Sequence, residues 1–431
     1  MVPHLTTALT GPINELEQRI LESMPAIERW FRLEWMEHTP PFYTSVDLRN
    51  AGFKLAPVGT DLFPSGFNHL TPEMLPLAVQ AAMAAIEKIC PEAKNLLLIP
   101  GARTQDSFYL AAMQSLVQVF TQAGLNVRLG TLDPAVHAPL TVAVPEGGEL
   151  VLEPVVRNRG RLGLKNFDPC TILLNNDLAA GVPRTLQHLH EQYLLPPLHA
   201  GWTVRRKSQH FQSYEEVAKK FAKLLGMDVW LINPIFASCG SVDPGTPAGL
   251  DAVRGHVDAV ITKVRRKYKE YGINEKPFVV LKADNAGDGQ GMLVLRDAKE
   301  LDTLNGRLVE RMRAAGGGGL PSGIVVQEGV PTMERMHSAV AEPVVCMIDR
   351  YVVGGYYRVH AERSPDEDLC GPGSSYVPLA FAQSNQLPRP GVKPGASAPN
   401  RFYMYGVIGR LAMLAASYEL EATDPDAENF D

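Results

Sequence analysis

The chain has 431 residues, of which 45% are hydrophobic and 20% charged, and its formal net charge at pH 7 is −6. This length predicts two or three domains, and a negative charge without a long basic stripe excludes a nucleic-acid scaffold. The five cysteines are scattered without a C-x-x-C pair, so we expect reduced thiols rather than disulfides or a zinc site. No signal-peptide pattern and no apolar run of about 18 residues occur, so we predict a cytoplasmic protein that does not bind a membrane.

The N-terminal part of the chain predicts a parallel sheet covered by helices. Helical periodicity over residues 13–37 and 72–90 precedes a short buried strand at 96–100. A helix over about 105–123 and a strand over 126–132 then complete a βαβ unit, which favours a parallel sheet.

Polar residues follow the buried strands of this unit. Ligands bind outside the carboxyl ends of parallel strands, which places Gly101 and Arg103 in the predicted pocket. A further buried strand, 171–177, carries Asn176 near its end, and a helix is predicted near 183–194. The unit lacks G-x-G-x-x-G, so we exclude a dinucleotide site.

A basic triplet at 205–207 precedes the next predicted helix. Ser213 and Glu216 form a capping box and Gly226 ends the helical pattern. Lys207 would then lie just before a helix, a position suited to an anionic ligand, although a basic triplet is more often a solvated face.

Residues 278–295 form two apolar runs joined by a glycine-rich loop. Lys282 ends the first run, and the loop has glycine at every second position, at Gly287, Gly289 and Gly291. Such a hairpin is able to hold a nucleotide triphosphate, because glycine lets backbone N–H groups approach phosphate oxygens and lysine supplies a charge. The alternative is an ordinary loose hairpin with a solvated lysine.

A short β-branched strand at 324–330 resembles a hinge between two lobes. It ends in Gln327 and Glu328, and its backbone amides and carboxylate are suited to read an adenine edge and a ribose hydroxyl. Alternatively, Glu328 is simply the first exposed residue after a buried strand.

The C-terminal part predicts a strand at 356–360 whose alternation places Arg358 on one face with the residues two positions away. That face is suited to phosphate and transition-state charge, or alternatively to a salt bridge within the sheet. Residues 361–400 are rich in Pro, Gly and Ser and predict a mobile flap. A helix at 402–420 and an acidic, disordered tail at 421–431 follow.

The order of these pieces resembles the ATP-grasp fold. More narrowly, three runs resemble the proteobacterial type of glutamate–cysteine ligase, and the resemblance extends from about residue 10 to residue 420. The runs are 45–58, 62–68 and 342–358.

This resemblance implies an α/β, ATP-grasp-like fold, with an N-terminal parallel α/β domain followed by two lobes that enclose ATP. We expect a substrate-side domain at 1–198, a lid lobe with the glycine hairpin at 199–330, a C-terminal lobe at 331–420 and the tail at 421–431. The implied reaction is ATP-dependent ligation of glutamate to cysteine through an acyl phosphate, giving γ-glutamylcysteine. The implied partners are small molecules and the implied cofactors are ATP and Mg²⁺.

The resemblance also assigns roles to individual residues. For ATP, Lys207 and Lys282 would neutralise phosphates, Arg358 and Lys282 would be catalytic, and the loop would close with Gly287, Gly289 and Gly291 while Gln327 and Glu328 read the nucleoside. For the substrates we predict Arg49, Asn68, Arg103 and Asn176. For the metal we predict Asp349, Glu367 and Asp368.

The chain departs from the family pattern in two stretches, 59–65 and 366–373. In the second, Cys370 stands among the expected oxygen ligands, and a thiol is a poor ligand for Mg²⁺. Two alternatives therefore stay open: a diverged ATP-grasp ligase with another amino-acid substrate, and an ATP-binding protein without ligase activity.

Overall fold

The structure, a computed structural model, describes residues 5–6, 12–101, 106–145, 147–287, 289–379 and 401–427. The α-helices within them are α1 (Pro12–Glu22), α2 (Met24–Glu37), α3 (Leu75–Ile89), α4 (Ser107–Gln122), α5 (Lys207–Leu225), α6 (Pro247–Glu270), α7 (Leu301–Ala315) and α8 (Phe402–Thr423). The strands are β1 (Leu5–Thr6), β2 (Tyr43–Asn50), β3 (Leu55–Asp61), β4 (Asn95–Pro100), β5 (Asn126–Thr131), β6 (Leu140–Ala143), β7 (Glu149–Pro154), β8 (Val156–Asn158), β9 (Arg161–Gly163), β10 (Thr171–Asn175), β11 (Tyr193–Leu195), β12 (Phe236–Ser238), β13 (Val279–Ala283), β14 (Met292–Leu295), β15 (Ile324–Glu328), β16 (Arg335–Met336), β17 (Ala339–Ile348), β18 (Tyr351–His360) and β19 (Ser374–Pro378).

Local sequence signals set several helix ends. The first helical pattern divides at Ser23, because Pro25 occupies the first turn of α2. Gly226 ends α5 with a φ of 61°, a left-handed conformation that glycine adopts freely. The predicted capping box is wrong, since α5 already begins at Lys207 and Ser213 lies inside it.

A six-stranded sheet in the order β11-β10-β4-β5-β7-β6 forms the N-terminal part, and all neighbours except β6 and β7 are parallel. The predicted βαβ unit is confirmed as β4, α4 and β5. The helix predicted near 183–194 is wrong. Residues 184–186 form a single 3₁₀ turn, and the end of the predicted helix is instead strand β11, which pairs with β10.

A seven-stranded antiparallel sheet combines strands from both ends of the chain. It runs β1-β16-β17-β18-β19, and β2 pairs with the same edge of β17 as β16 does and carries β3 beyond it. The expected boundary at residue 198 therefore does not separate sheets, because β2 and β3 precede it and the other major strands follow it. The first residues of the predicted tail continue α8 to Thr423, where Glu421 is bonded to His38 at 2.8 Å.

A four-stranded antiparallel sheet, β12-β15-β13-β14, forms the third layer. It contains the predicted glycine hairpin as β13 and β14, with Val279 opposite Leu295 and Lys282 opposite Met292. Helices α6 and α7 pack on one face of this sheet. The turn between β2 and β3 reaches the same core, where Phe53 stacks on Trp230 with 6.0 Å between ring centroids.

Helix α8 is buried along most of its length and packs with α1, α2 and α5 against one face of the seven-stranded sheet. The opposite face is divided between an apolar part, which packs on α3, and a charged part. Of the helices in the described part of the chain, none is long and apolar enough to cross a membrane.

Candidate active site

The four-stranded sheet turns one face to its core and the other towards the seven-stranded sheet. Val279, Leu281 and Ala283 point into the core with α6 and α7. Because side chains alternate along a strand, Lys282 points to the opposite face. The register of β13 with β15 places Gln327 on that face too. These two residues form one wall of a cleft between the sheets.

Lys282 crosses this cleft to the seven-stranded sheet. Its buried Nζ donates a hydrogen bond to the carbonyl of Val58 at 2.6 Å. The pairing of β2 with β3 shifts by one residue between Asp47 and Leu48, which leaves Val58 as the extra residue of a β-bulge. Burial lowers the pKa of Lys282 to about 8, and the nearby Asp368 carboxylate opposes this effect.

Four charged residues of the seven-stranded sheet form the other wall. This charged cluster consists of Asp47 and Arg49 on β2, Glu342 on β17 and Arg358 on β18. Arg49 Nε donates to Glu342 at 2.9 Å, and Arg358 Nη1 donates to the other oxygen of Glu342 at 2.7 Å. Arg358 Nη2 donates to Asp47 at 3.1 Å. Glu342 stands directly opposite Arg358 in the ladder, so the sheet register fixes the pair.

The cluster shifts the pKa values of its two carboxylates in opposite directions. Burial raises the pKa of Glu342, but Arg49 and Arg358 outweigh it and hold that pKa below its usual value. For Asp47, burial dominates and raises the pKa, with Arg358 opposing and Glu342 adding to the rise. The charges of Asp47, Glu342 and Asp368 all reach Lys282, so both walls share one electrostatic site.

Arg358 therefore lies where the sequence predicted a charged face, and the alternative of a salt bridge within the sheet also holds. Its buried Nε has no hydrogen-bond partner among the described residues. Arg49, predicted to hold a substrate carboxylate, is instead committed to the protein. Its Nη1 donates to the carbonyl of Pro365 at 3.0 Å and its Nη2 to that of Glu367.

The described residues of the 286–291 loop lie over this site, and its glycines have little room for side chains. A Cβ on Gly287 would stand 2.8 Å from Trp202 Nε1. A Cβ on Gly289, whose φ is +70°, would stand 2.5 Å from the Asp368 carboxylate. Glycine is required at both positions because the backbone approaches its neighbours closely.

Lys207 and Gly291 fix the base of the loop. Lys207 Nζ donates to the carbonyls of Ala283, at 2.9 Å, and Ala286, and its backbone N–H donates to Asp284 at 2.8 Å. Gly291 has a φ of +66° and packs against Ala283. Lys207, the first residue of α5, therefore lies at the base of the loop.

Gln327 and Glu328 have opposite environments. Gln327 is buried on the cleft face, and neither its Oε1 nor its Nε2 has a partner among the described residues. Glu328 points to the other face, where it accepts hydrogen bonds from Lys54 at 2.8 Å and Trp230 at 3.0 Å. The predicted ribose contact of Glu328 is wrong, because its carboxylate is used inside the protein.

Aromatic rings line the cleft beside Gln327. Phe236 stands opposite Gln327 in the register of β12 and β15. The ring of Phe211 on α5 lies 5.6 Å from the ring of Phe236, measured between centroids. Lys282 Nζ is 5.7 Å from the centre of the Phe211 ring. The cleft therefore has an apolar part with an amide at its edge and a charged part beyond it.

Of the three predicted metal ligands, Asp368 alone lies in the site. Asp349 occupies the turn between β17 and β18, which is seven residues from Glu342 and so roughly 20 Å away. Glu367 accepts hydrogen bonds from the Ser364 backbone at 2.8 Å and hydroxyl at 2.9 Å, which commits it to a turn. No cluster of three His, Cys, Asp or Glu side chains suited to a metal occurs among the described residues.

The remaining substrate predictions divide. Asn68 has a buried Oδ1 without a partner in the described part of the chain. Its neighbour His69 stacks on Tyr376 at 4.0 Å, and Tyr376 is hydrogen-bonded to Arg358, so Asn68 adjoins the charged cluster. Asn176 caps a turn by accepting from the Leu178 N–H at 3.0 Å. Arg103 lies outside the described residues.

The sequence reasoning missed Asp47 and Glu342 as site residues. The signal was present for the first, because Asp47 and Arg49 are two positions apart on a strand and must share a face. For Glu342 the sequence analysis gave no such signal, because it predicted no strand at the position of β17 beside the one that carries Arg358. Only the register of the two strands could identify it as the bridge.

Comparisons with known proteins identify the family to which the chain belongs. The family model described as glutamate-cysteine ligase matches residues 17–420. The chain belongs to the glutamate–cysteine ligase family. A solved structure from Methylobacillus flagellatus KT, to which gamma-glutamylcysteine synthetase activity is ascribed, is 50% identical, and the match covers 98% of this chain and 100% of that one with a TM-score of 0.90.

Two more distant structures were also found. A glutathione synthetase-like effector from Globodera pallida is 10% identical, with 85% of this chain and 84% of that one covered and a TM-score of 0.40. D-alanyl-alanine synthetase A from Vibrio cholerae O1 biovar eltor str. N16961 is 12% identical, with 67% and 75% covered and a TM-score of 0.33. These scores carry no argument about the present fold. No curated protein matched the chain.

Family membership confirms the resemblance seen in the sequence. It also confirms the predictions that the chain is a ligase and that it forms γ-glutamylcysteine, and it implies the use of ATP. The predicted α/β class is confirmed by the mixed sheets and helices. The ATP-grasp arrangement of lobes, the site residues and Mg²⁺ stay proposals.

Proposed function

We propose that this glutamate–cysteine ligase joins its substrates at the expense of ATP in the cleft between the four-stranded and seven-stranded sheets, as in an ATP-grasp enzyme. The main observation behind the proposal is that Lys282, Asp368 and the charged cluster lie close together beneath a glycine-rich loop. One lobe is then the part of 199–330 around the four-stranded sheet. The other is 331–420 together with β2 and β3.

The triphosphate would lie between Lys282 and the loop. Lys282 is a buried cation without a salt bridge among the described residues, and a phosphate would supply an anion bonded directly to it. The backbone of the loop passes close to Asp368 at Gly289, so its N–H groups are near the same place. In this arrangement Lys207 positions the loop and does not itself need to contact phosphate.

The nucleobase would lie in the apolar part of the cleft. Phe211 and Phe236 offer flat apolar surface, and an apolar pocket with a few fixed polar groups is typical of nucleotide and cofactor sites. The Gln327 amide has a donor and an acceptor without partners among the described residues, and these match the paired acceptor and donor of an adenine edge. A buried amide without partners is costly, and a ligand that pairs with it removes that cost.

Arg358 would stabilise the charge that develops during the reaction. Activation of the glutamate γ-carboxylate as an acyl phosphate, followed by attack of the cysteine amine, produces first a phosphorylated carboxyl group and then a tetrahedral oxyanion. The unpaired Nε of Arg358 is a fixed donor for such an oxygen. Glu342 and Asp47 hold the guanidinium in place.

The amino-acid substrates would lie at the Asn68 side of the cluster. The unpaired Oδ1 of Asn68 is suited to accept a hydrogen bond from an ammonium group. Because Arg49 is committed to the protein, Arg103 is the predicted residue that is left for the α-carboxylate of glutamate.

The residues present fit Mg²⁺ in part. This ion prefers oxygen ligands and keeps several waters, so one or two protein carboxylates suffice. Asp368 would hold it, with Asp47 as a second ligand, since the Asp368 charge raises the pKa of Asp47 and both carboxylates act on Lys282. A bound Mg²⁺ would neutralise phosphate charge.

The first experiment is ADP release by the purified protein with Mg-ATP, glutamate and cysteine, each amino acid being omitted in turn, with mass spectrometry of the product. We expect release that requires both amino acids and a product of γ-glutamylcysteine mass. ATP binding with release on another acid or amine would favour the diverged ligase. ATP binding without release on any amino acid would favour the binding protein.

A further inference from the structure

Two cysteines outside the cleft lie close together. Cys90 follows the last residue of α3, and Cys170 precedes the first residue of β10. Their Sγ atoms are 2.8 Å apart although 80 positions separate them in the chain. This distance is about 0.8 Å longer than a disulfide bond. Both side chains are partly exposed, and both are free thiols.

Backbone hydrogen bonds hold both cysteines in place. The N–H of Cys90 donates to Ile86 at 2.8 Å, and its carbonyl accepts from Ala93 at 2.9 Å. The carbonyl of Cys170 accepts from the N–H of Tyr193 at 2.9 Å. The two thiols therefore approach one another because of the way α3 ends and β10 begins, and not because of one rotamer on a loose loop.

We propose that Cys90 and Cys170 form a reversible modification site, at which a low-molecular-weight disulfide converts the two thiols to an internal disulfide that fastens α3 to the six-stranded sheet. One thiolate attacks the small disulfide, forms a mixed disulfide and releases one small thiol. The second cysteine loses its proton and attacks the protein sulfur of the mixed disulfide, which releases the second small thiol. Two electrons pass to the reagent, and excess small thiol reverses both steps.

The hydrogen bond to Cys170 raises the pKa of the Cys90 thiol to about 11. Because the thiolate is the attacking species, we expect the rate of disulfide formation to increase with pH between about 7 and 9. The disulfide of cysteine is a suitable reagent, since it is the oxidised form of the thiol substrate of this ligase family.

The test uses the whole chain, incubated with the disulfide of cysteine, blocked with iodoacetamide and analysed by peptide mass spectrometry. We expect a linked peptide pair that contains Cys90 and Cys170 and has lost two hydrogen atoms. The oxidised chain should unfold a few degrees higher than the reduced chain, because the link restricts the unfolded state. Dithiothreitol should restore both the free thiols and the original unfolding temperature.

Three variants complete the experiment. Cys90→Ser and Cys170→Ser should each lose the linked pair and the rise in Tm, and keep a mixed disulfide on the remaining cysteine. Cys239→Ser, at a cysteine that is also partly exposed, should retain both effects. Thermal unfolding of the reduced variants shows that they fold. Persistent mixed disulfides in the unmutated chain, or a rise in Tm that both serine variants keep, would overturn the proposal.

Discussion

Two buried lysines of this molecule, Lys54 and Lys282, resemble one another in charge state and differ in their partners. Burial lowers the pKa of each to about 8. Lys54 is 2.8 Å from the Glu328 carboxylate and lies 4.4 Å from the centre of the Trp230 ring. Lys282 donates to a backbone carbonyl and forms no salt bridge among the described residues. Lys54 is therefore bonded directly to a carboxylate, whereas in the described part of the chain Lys282 feels carboxylates only at longer range.

The difference separates a structural charge from a binding charge. Lys54 connects the turn between β2 and β3 to the end of β15, so it joins the two sheets that form the cleft. A buried cation without a paired carboxylate costs folding free energy, and such groups occur where a ligand completes them. The comparison thus predicts that one lysine supports the fold and the other supports the reaction.

The largest expected effect is on catalysis, from Lys282→Met. We expect kcat/KM for ATP to fall by about 100-fold or more, since a charged contact to phosphate is lost. The Tm should stay the same or rise, because the variant removes a costly buried charge. Steady-state kinetics and thermal unfolding test both points. Lys276→Met, at an exposed position in the same lobe, is the control, and kinetics of Lys282→Met within threefold of that control would contradict the phosphate role.

The second effect is on stability, from Lys54→Met. Removal of one partner of a buried pair leaves Glu328 uncompensated, so we expect the free energy of unfolding to fall by about 3 kcal/mol. Adding Glu328→Gln should recover part of this loss, because it removes the uncompensated buried charge. Recovery should be incomplete, since the single amide oxygen replaces the two carboxylate oxygens that accept from Trp230 and Ile235. Urea denaturation measures both variants. If Lys54→Met were as stable as the unmutated chain, the pair would not be what joins the sheets.

The residues of the cleft show how much of the site could be predicted from the sequence. The glycine hairpin and Lys282 followed from residue order and strand spacing, and the face of Arg358 followed from alternation. Alternation along the strand also means that Gln327 and Glu328 point to opposite faces of the sheet. The sequence alone was enough for this conclusion, but the prediction placed both residues at the nucleoside. The packing of α6 and α7 decides whether Gln327 or Glu328 points towards the ligand.

Long-range partners could not be predicted. The carboxylate that pairs with Arg49 is on β17, almost three hundred positions away, and nothing local in the sequence connects them. Asp349 was predicted as an oxygen ligand for the metal, but the length of β17 places it at the far end of the strand. Strand register decides such cases, and register is a property of the folded sheet.

The third effect is the pH dependence of the rate, which we expect to follow Lys282 and not Lys54. Lys282 becomes neutral above pH about 8, so kcat/KM for ATP should fall by about tenfold for each pH unit above that value. In Lys282→Arg, which keeps its charge, this fall should disappear. Stability should change in the opposite direction. The unfolded lysines bind more protons than the folded ones between pH 8 and 10.5, so their contribution to unfolding free energy rises with pH in that window.

Rate profiles and urea denaturation between pH 7 and pH 9.5 test these statements together. Lys54→Met should reduce the slope of stability against pH and leave the slope of the rate unchanged. A rate profile of Lys282→Arg that still fell above pH 8 would assign the titration to another group.

The smallest expected effect is at Gln327, the uncharged counterpart of Lys282 on the same cleft face. We expect Gln327→Leu to raise the KM for ATP about fivefold and to narrow the preference for ATP over GTP, since the amide would no longer read the base. The Tm should rise, because an apolar side chain replaces a buried amide that forms no hydrogen bond with the described residues. Kinetics with both nucleotides and thermal unfolding without ligand measure these changes. A lower Tm with unchanged nucleotide preference would mean that the amide serves the fold, as Lys54 does, and that the base is read elsewhere.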